Sequence, residues 1–247
     1  MPYVQLAIFV LDASGSMADP VAGAPHGTTK AWQIEEMLCL PLPKPLEGVK
    51  ELEDKREVLE QCGVIARLQA SSYASYIYLA IIRYDTKAVI DGVKFVKEWT
   101  LSPIGTKLEP PKDASSPRYL LDGKTFDLLS GLGGATNIAC GLREARNMAN
   151  DFIEFQKKAG FTPLVSIVLM SDMLHNEGPK EDTLSVAKEI RQTPKINERP
   201  QILLAAVAFG DDADLNLMEE IAGDSRYALK TTNPVELRRF FIASATR

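Results

Sequence analysis

Apolar and polar positions alternate in blocks along this chain. Residues 3–11 are apolar and β-favouring almost without a break, and they run straight into the polar turn Asp12-Ala13-Ser14-Gly15-Ser16. Residues 76–84 repeat the pattern and end at Asp85, residues 164–171 end at Asp172, and residues 202–209 end at Gly210. Runs of this kind predict strands covered on both faces. Residues 88–95 follow a short turn and predict a strand returning antiparallel as a hairpin, and 227–230 predict a short, weak strand. Between the strands the period changes. Ile138, Leu142, Ala145, Met148, Ala149, Phe152 and Ile153 share one face of a helix predicted over 138–157. The same spacing predicts helices over 50–72, 180–191 and 214–222, and Pro234 opens a last helix reaching about residue 245.

Strands that alternate with helices imply a mostly parallel α/β sheet with helices on both faces. In such sheets ligands gather beyond the carboxyl ends of the strands, and Asp12 and Asp172 each end a buried strand there. Two segments, 20–48 and 97–123, exceed what the alternation needs. Both are rich in proline, and Pro41, Pro43 and Pro45 forbid a helix where they stand, although a short helix over about 30–38 fits. The chain has 247 residues, which at about 150 residues per domain leaves one large domain or two small ones open. One alternating unit uses the whole length, so the expectation is a single domain over 1–247 with two elaborations.

Composition narrows the chemistry. The longest apolar runs are about half of what a membrane span needs, and the first residues lack the basic start of a signal peptide. Three scattered cysteines, Cys39, Cys62 and Cys140, give no disulfide framework and no cysteine zinc site. A reducing, cytoplasmic setting is expected. The formal net charge of −5 argues against nucleic acid as the main partner. With only His26 and His175 as histidines, most hydrolase mechanisms and most zinc chemistry are out of easy reach. Any metal would be held mainly by oxygen, which points to a hard cation such as Mg²⁺.

Three loops offer that oxygen. Asp12, Ser14 and Ser16 alternate in the first, Thr136 follows Gly133-Gly134 in the second, and Asp172 opens the third, directly after the strand over 164–171. Two carboxylates balance a divalent ion, and three hydroxyls add neutral donors, leaving a position open for a carboxylate from another molecule. The DxSGS turn after a buried strand, the later threonine and the later aspartate resemble the metal-ion-dependent adhesion site of von Willebrand factor type A (VWA) domains. The order of elements is similar across most of the chain, and the lack of a leader resembles the stand-alone intracellular members from bacteria.

The resemblance implies a doubly wound sheet with one antiparallel edge strand. It also implies an ion held by Asp12, Ser14, Ser16, Thr136 and Asp172, Mg²⁺ or Mn²⁺ ahead of Ca²⁺. Binding of a protein that presents Glu or Asp to the ion is the expected function, without catalysis. One departure concerns the position after Asp172, where many members have Thr-Asp-Gly. Here Met173 lacks a glycine's backbone freedom. The rival is a magnesium-dependent phosphatase with Asp12 as nucleophile. It wants a second carboxylate two residues on, where this chain has Ser14. Gly131-Leu-Gly-Gly134 is a weak match to a phosphate loop, with no lysine in place. Cys140 is expected to be buried as a small apolar group, His175 to be solvated, and Trp32 and Trp99 to anchor the two extra segments.

Overall fold

The structure is a computed structural model that describes residues 2–21, 28–40, 62–69, 76–86, 88–91, 108–109, 120–121, 124–125 and 133–246. Its main sheet holds β1 (Tyr3–Asp12), β2 (Ile77–Tyr84), β3 (Ala88–Asp91), β7 (Thr162–Ser171), β10 (Ile202–Phe209) and β11 (Ala228–Thr231). Three two-residue strands, β4 (Leu108–Glu109), β5 (Leu120–Leu121) and β6 (Lys124–Thr125), make a small antiparallel sheet of their own. β8 (Lys195–Ile196) and β9 (Arg199–Pro200) form a hairpin. The helices are α1 (Lys30–Cys39), α2 (Val64–Gln69), α3 (Ile138–Lys158), α4 (Lys180–Arg191), α5 (Leu215–Ala222) and α6 (Pro234–Ala245).

The strand order is β11-β10-β7-β1-β2-β3. Every pairing in it is parallel except β2 with β3 at the edge. The doubly wound, mostly parallel sheet with one antiparallel edge strand is therefore present as expected. Both of its faces are covered, and the register on β1 shows how. Phe9 meets Phe241 of α6 edge-on at 4.9 Å, whereas a Cβ on Gly141 of α3 would come within 3.0 Å of Val10. Adjacent strand residues point to opposite faces, so α6 and α3 lie on opposite sides. α1 and α2 join α6, and α4 and α5 continue the layer of α3. β1 is buried from Val4 to Asp12, which is why its sequence reads as one apolar run rather than as an alternation.

The helices end where their chemistry says they should. The Asn137 side chain accepts the Cys140 N–H at the start of α3, and Lys157 and Lys158 face its negative end. Asn233 caps α6 by accepting the Val235 N–H at 2.9 Å, with Pro234 in the first turn. Asn233→Ala is expected to cost about 1 kcal/mol. That is a fall of roughly 2–4 °C in melting temperature for a chain of this size, readable by thermal denaturation.

The structure also departs from the sequence expectations. The β8–β9 hairpin has no counterpart among the predicted elements. Asn197 and Glu198 turn it at φ 48° and 67°, a positive-φ pair that asparagine tolerates in two-residue hairpins. The segment 97–123, irregular by its prolines, contains β4 and β5, and β6 follows just beyond it. Trp32 is 43% exposed, so only part of its surface packs against the body. Cys62 is buried as a small apolar group, while Cys140 is only half-buried. Trp99, residues 92–95, the Gly131 end of its loop and most of the helix expected over 50–72 lie outside the described residues. Among the described residues no helix is long and apolar enough to cross a membrane.

Candidate metal centre

Register places the first acidic residue. β1 pairs Leu11 with Met170 of β7 and Asp12 with Tyr84 of β2, so Asp12 lies between Ser171 and Tyr84 at the carboxyl edge of the central strands. Asp12 is fully buried. Its Oδ1 accepts the Ser14 N–H at 2.8 Å and its Oδ2 accepts the Ser171 hydroxyl at 2.5 Å. Ser171 Oγ in turn accepts the Met173 N–H at 2.9 Å. Burial is the main cause that pushes the Asp12 carboxyl up to about 6, against the three hydrogen-bonding contributions from Ser14 and Ser171, and the nearby Asp172 adds to the rise.

The first loop continues as a single 3₁₀ turn, Gly15–Ala18, anchored by the buried Met17. Ser14 is buried and Ser16 half-buried, with their hydroxyl oxygens 3.2 Å apart. Alternation along the turn thus brings both hydroxyls to one side. The second loop is stitched to the first by the backbone: Gly133 N–H donates to Ala13 O at 3.1 Å, and Gly15 N–H to Gly134 O at 3.3 Å. Thr136 is buried there. The third loop is stitched to the second through Asn176, whose Oδ1 accepts the Thr136 N–H at 2.7 Å and whose N–H donates to Thr136 O at 3.3 Å.

Asp172 is fully buried in that third loop. Its Oδ1 accepts the Leu174 N–H at 3.1 Å, and its Oδ2 faces the Lys30 ammonium at 3.3 Å. Met173, which follows, stands at φ 60° with its side chain buried. The loop therefore makes the left-handed turn without glycine. The backbone costs about 1–2 kcal/mol, and burial of the methionine side chain, worth about 1.5–3 kcal/mol, offsets it.

Tyr84 completes the wall. Gly141 leaves room for its ring, since a Cβ there would stand 2.8 Å from it. The phenol is buried and turned toward Ser171 without closing a hydrogen bond. Burial first, and then the charge on Asp12, hold it well above its ordinary value.

Sequence reasoning missed several residues here. Ser171 reads in the sequence only as the end of a strand, although its place before Asp172 is a signal. Asn176 has no periodicity to mark it. Lys30 and Asp212 carry no local signature at all, because the fold alone brings Lys30 to both Asp172 and Asp212. Asp85, at the end of β2, ties the second loop by accepting the Asn137 N–H on its carbonyl at 2.8 Å.

The donor set suits a hard divalent ion. It has two buried carboxylates and three hydroxyls, and burial leaves the charge on one of the carboxylates, Asp12, without full compensation. Among the described residues no group of three or more His, Cys, Asp or Glu gathers anywhere, so hydroxyl donors are necessary to such a site and soft metals are poorly served.

No protein-family model and no curated protein matches the sequence. Solved structures do. A von Willebrand factor type A protein from Catenulispora acidiphila is similar with a TM-score of 0.58 at 13% identity, over 98% of this chain and 42% of that one. The pilus adhesin SpaC from Lactobacillus rhamnosus GG gives 0.55 at 14% identity, over 99% of this chain and 30% of that one. The manganese-loaded TRAP protein of Plasmodium vivax gives 0.51 at 16% identity, over 97% and 73%. The chain spans less than half the length of the first two. Likeness at these identities concerns architecture, and the architecture of this chain is that of a von Willebrand factor type A domain.

Proposed function

We propose that the chain is a metal-ion-dependent protein-binding module, a single domain over 1–247 with elaborations at about 20–48 and 97–123. Asp12, Ser14, Ser16, Thr136 and Asp172 hold a divalent cation, Mg²⁺ or Mn²⁺ in preference to Ca²⁺. The bound ion supplies an electrophilic position that a Glu or Asp of a protein partner fills. The observation that carries this reading is the stitching of three loops, each with buried oxygen donors, around the buried carboxyl of Asp12. The fold it shares with a manganese-loaded protein and with a pilus adhesin supports it. We place the module in a bacterial cytoplasm, with a protein rather than nucleic acid as partner.

The aspartyl-phosphate alternative gains nothing from the geometry. Ser14 stands where an acid/base carboxylate would be required, its hydroxyl turned to Ser16.

A melting curve tests the proposal. An ion that binds only the folded state raises the melting temperature, and a weak site contributing about 0.5 kcal/mol gives a shift of roughly one to two degrees. Excess Mn²⁺ is expected to produce that shift over EDTA in the wild type and none in Asp12→Ala or Asp172→Ala. An equal shift in all three would mean that the ion sits elsewhere.

A further inference from the structure

We propose that Lys30 is a tethered counter-cation that competes with the divalent ion for Asp172, so that ion binding at this edge works against an ion pair already in place. The inference rests on the metal-site reading above and adds to it the residue that sets ion affinity.

Lys30 Nζ lies 3.3 Å from Asp172 Oδ2 and 3.1 Å from Asp212 Oδ1. The lysine and Asp172 side chains are 5% and 0% exposed, whereas that of Asp212 is 55% exposed. Asp172 Oδ1 takes the Leu174 N–H and Oδ2 faces Lys30, so an ion that uses this carboxylate shares it with the ammonium. Two cations on one buried carboxylate repel strongly, because little water stands between them. Either the ammonium gives up Asp172 or the ion binds weakly.

The geometry provides for the first course. Asp212 is a second partner already in contact, so the ammonium does not become a buried, unpaired charge when it leaves Asp172. Asp19, Lys30, Gly210, Asp211 and Asp212 line a cavity of about 200 Å³ on that side. Gly210, at φ 120°, leaves the lysine stem its path, since a Cβ there would lie 3.1 Å from Lys30 Cε. Burial alone would lower the lysine, but Asp172 and Asp212 outweigh it and hold the ammonium above its usual range.

The position of Lys30 is costly for its helix. It is the first residue of α1, where the macrodipole disfavours a cation. Its own N–H donates to Asp19 O at 3.0 Å, directly after the turn that carries Ser14 and Ser16. The pairing with two carboxylates is what the position gains. It also couples the start of α1, where Trp32 lies exposed, to the occupancy of the site.

Mn²⁺ titration of the whole chain by calorimetry, with melting curves in EDTA alongside, tests the competition. Lys30→Met keeps the aliphatic stem and removes the charge. It is expected to bind Mn²⁺ at least tenfold more tightly than the wild type, and to melt lower in EDTA because Asp172 loses its counter-ion. Lys30→Arg keeps the charge and stays at or below wild-type affinity. Adding Asp12→Ala to Lys30→Met abolishes the gain. Lys30→Gln, whose polar tip still reaches Asp172, takes the place of methionine if that variant does not fold. If Lys30→Met and wild type bind equally and Asp12→Ala abolishes both, the competition is wrong and the metal site stands. If neither binds Mn²⁺, the metal site is wrong and the competition falls with it.

Discussion

Asp12→Asn is expected to stabilise the protein in EDTA near pH 7.5, although it alters a fully buried, hydrogen-bonded side chain. The sign follows from linkage. Burial raises the Asp12 carboxyl from 3.8 to about 6 in the folded state. A group raised on folding contributes stability that is fully present below its unfolded value and is lost as pH rises through the folded one. Above about pH 6 the folded chain therefore carries a carboxylate it would rather have protonated. Ionising a carboxyl raised this far costs the folded state about 3 kcal/mol more than the unfolded one. Asparagine never ionises. Its oxygen still accepts the Ser14 N–H, but its amide now donates toward Ser171, whose hydroxyl must turn away, so part of the gain is given back. About 2 kcal/mol, or roughly 4–8 °C, is the expected result. Near pH 4 the folded side chain is protonated while the unfolded one is still more than half ionised, so most of the difference should be gone. Paired melts at the two pH values check this, and a variant less stable than wild type at pH 7.5 would show that the Asp12 charge is already compensated. A side chain whose removal strengthens the empty fold is one kept for something other than folding.

The same competition between burial and charge separates what the sequence disclosed from what it did not. The central strands were legible because a strand covered on both faces leaves no alternative to apolar residues: β1, β7 and β10 are buried along nearly their whole length. The boundaries of α4 and α6 followed from period and from Pro234. Asp12 and Asp172 could be placed at one edge because parallel strands all end there, and the β1–β7 register brings the two together. What holds them was not legible. Ser171, Asn176, Lys30 and Asp212 act across separations such as the 142 residues between Lys30 and Asp172, and no local spacing encodes a long-range pairing. The β8–β9 hairpin escaped for the opposite reason, since two residues per strand are too few to show a period. Met173 looks in the sequence like an obstacle to the turn it makes, because backbone preference alone omits the burial that offsets it.

The second consequence concerns how the site responds to acid. Mn²⁺ affinity is expected to rise about tenfold between pH 5 and pH 7.5 and then level off. A proton and a metal ion compete for the same carboxylate, so affinity falls by one plus ten to the power of the difference between pKa and pH. With Asp12 at about 6, that factor is about eleven at pH 5 and close to one at pH 7.5. A carboxyl at an ordinary value near 4 would change affinity by about a tenth over the same range, so the size of the effect reports burial directly. Lys30 and Asp212 do not blur the profile. Lys30 is held above its usual range. For Asp212, burial acts upward but the Lys30 ammonium outweighs it and keeps the carboxyl below the usual carboxylate range. Neither titrates in this window. Calorimetry in buffers of different ionisation enthalpy counts the protons, with nearly one released per ion at pH 5 and almost none at pH 7.5. A flat affinity across the range, with no proton release, would mean that the ion does not take Asp12 as a ligand. A partner's exposed carboxylate stays ionised at pH 5, so weakened partner binding there would come from the site's own side. Acidification would then release the partner by emptying the site while leaving the metal-free fold, relieved of the Asp12 charge, more stable than before.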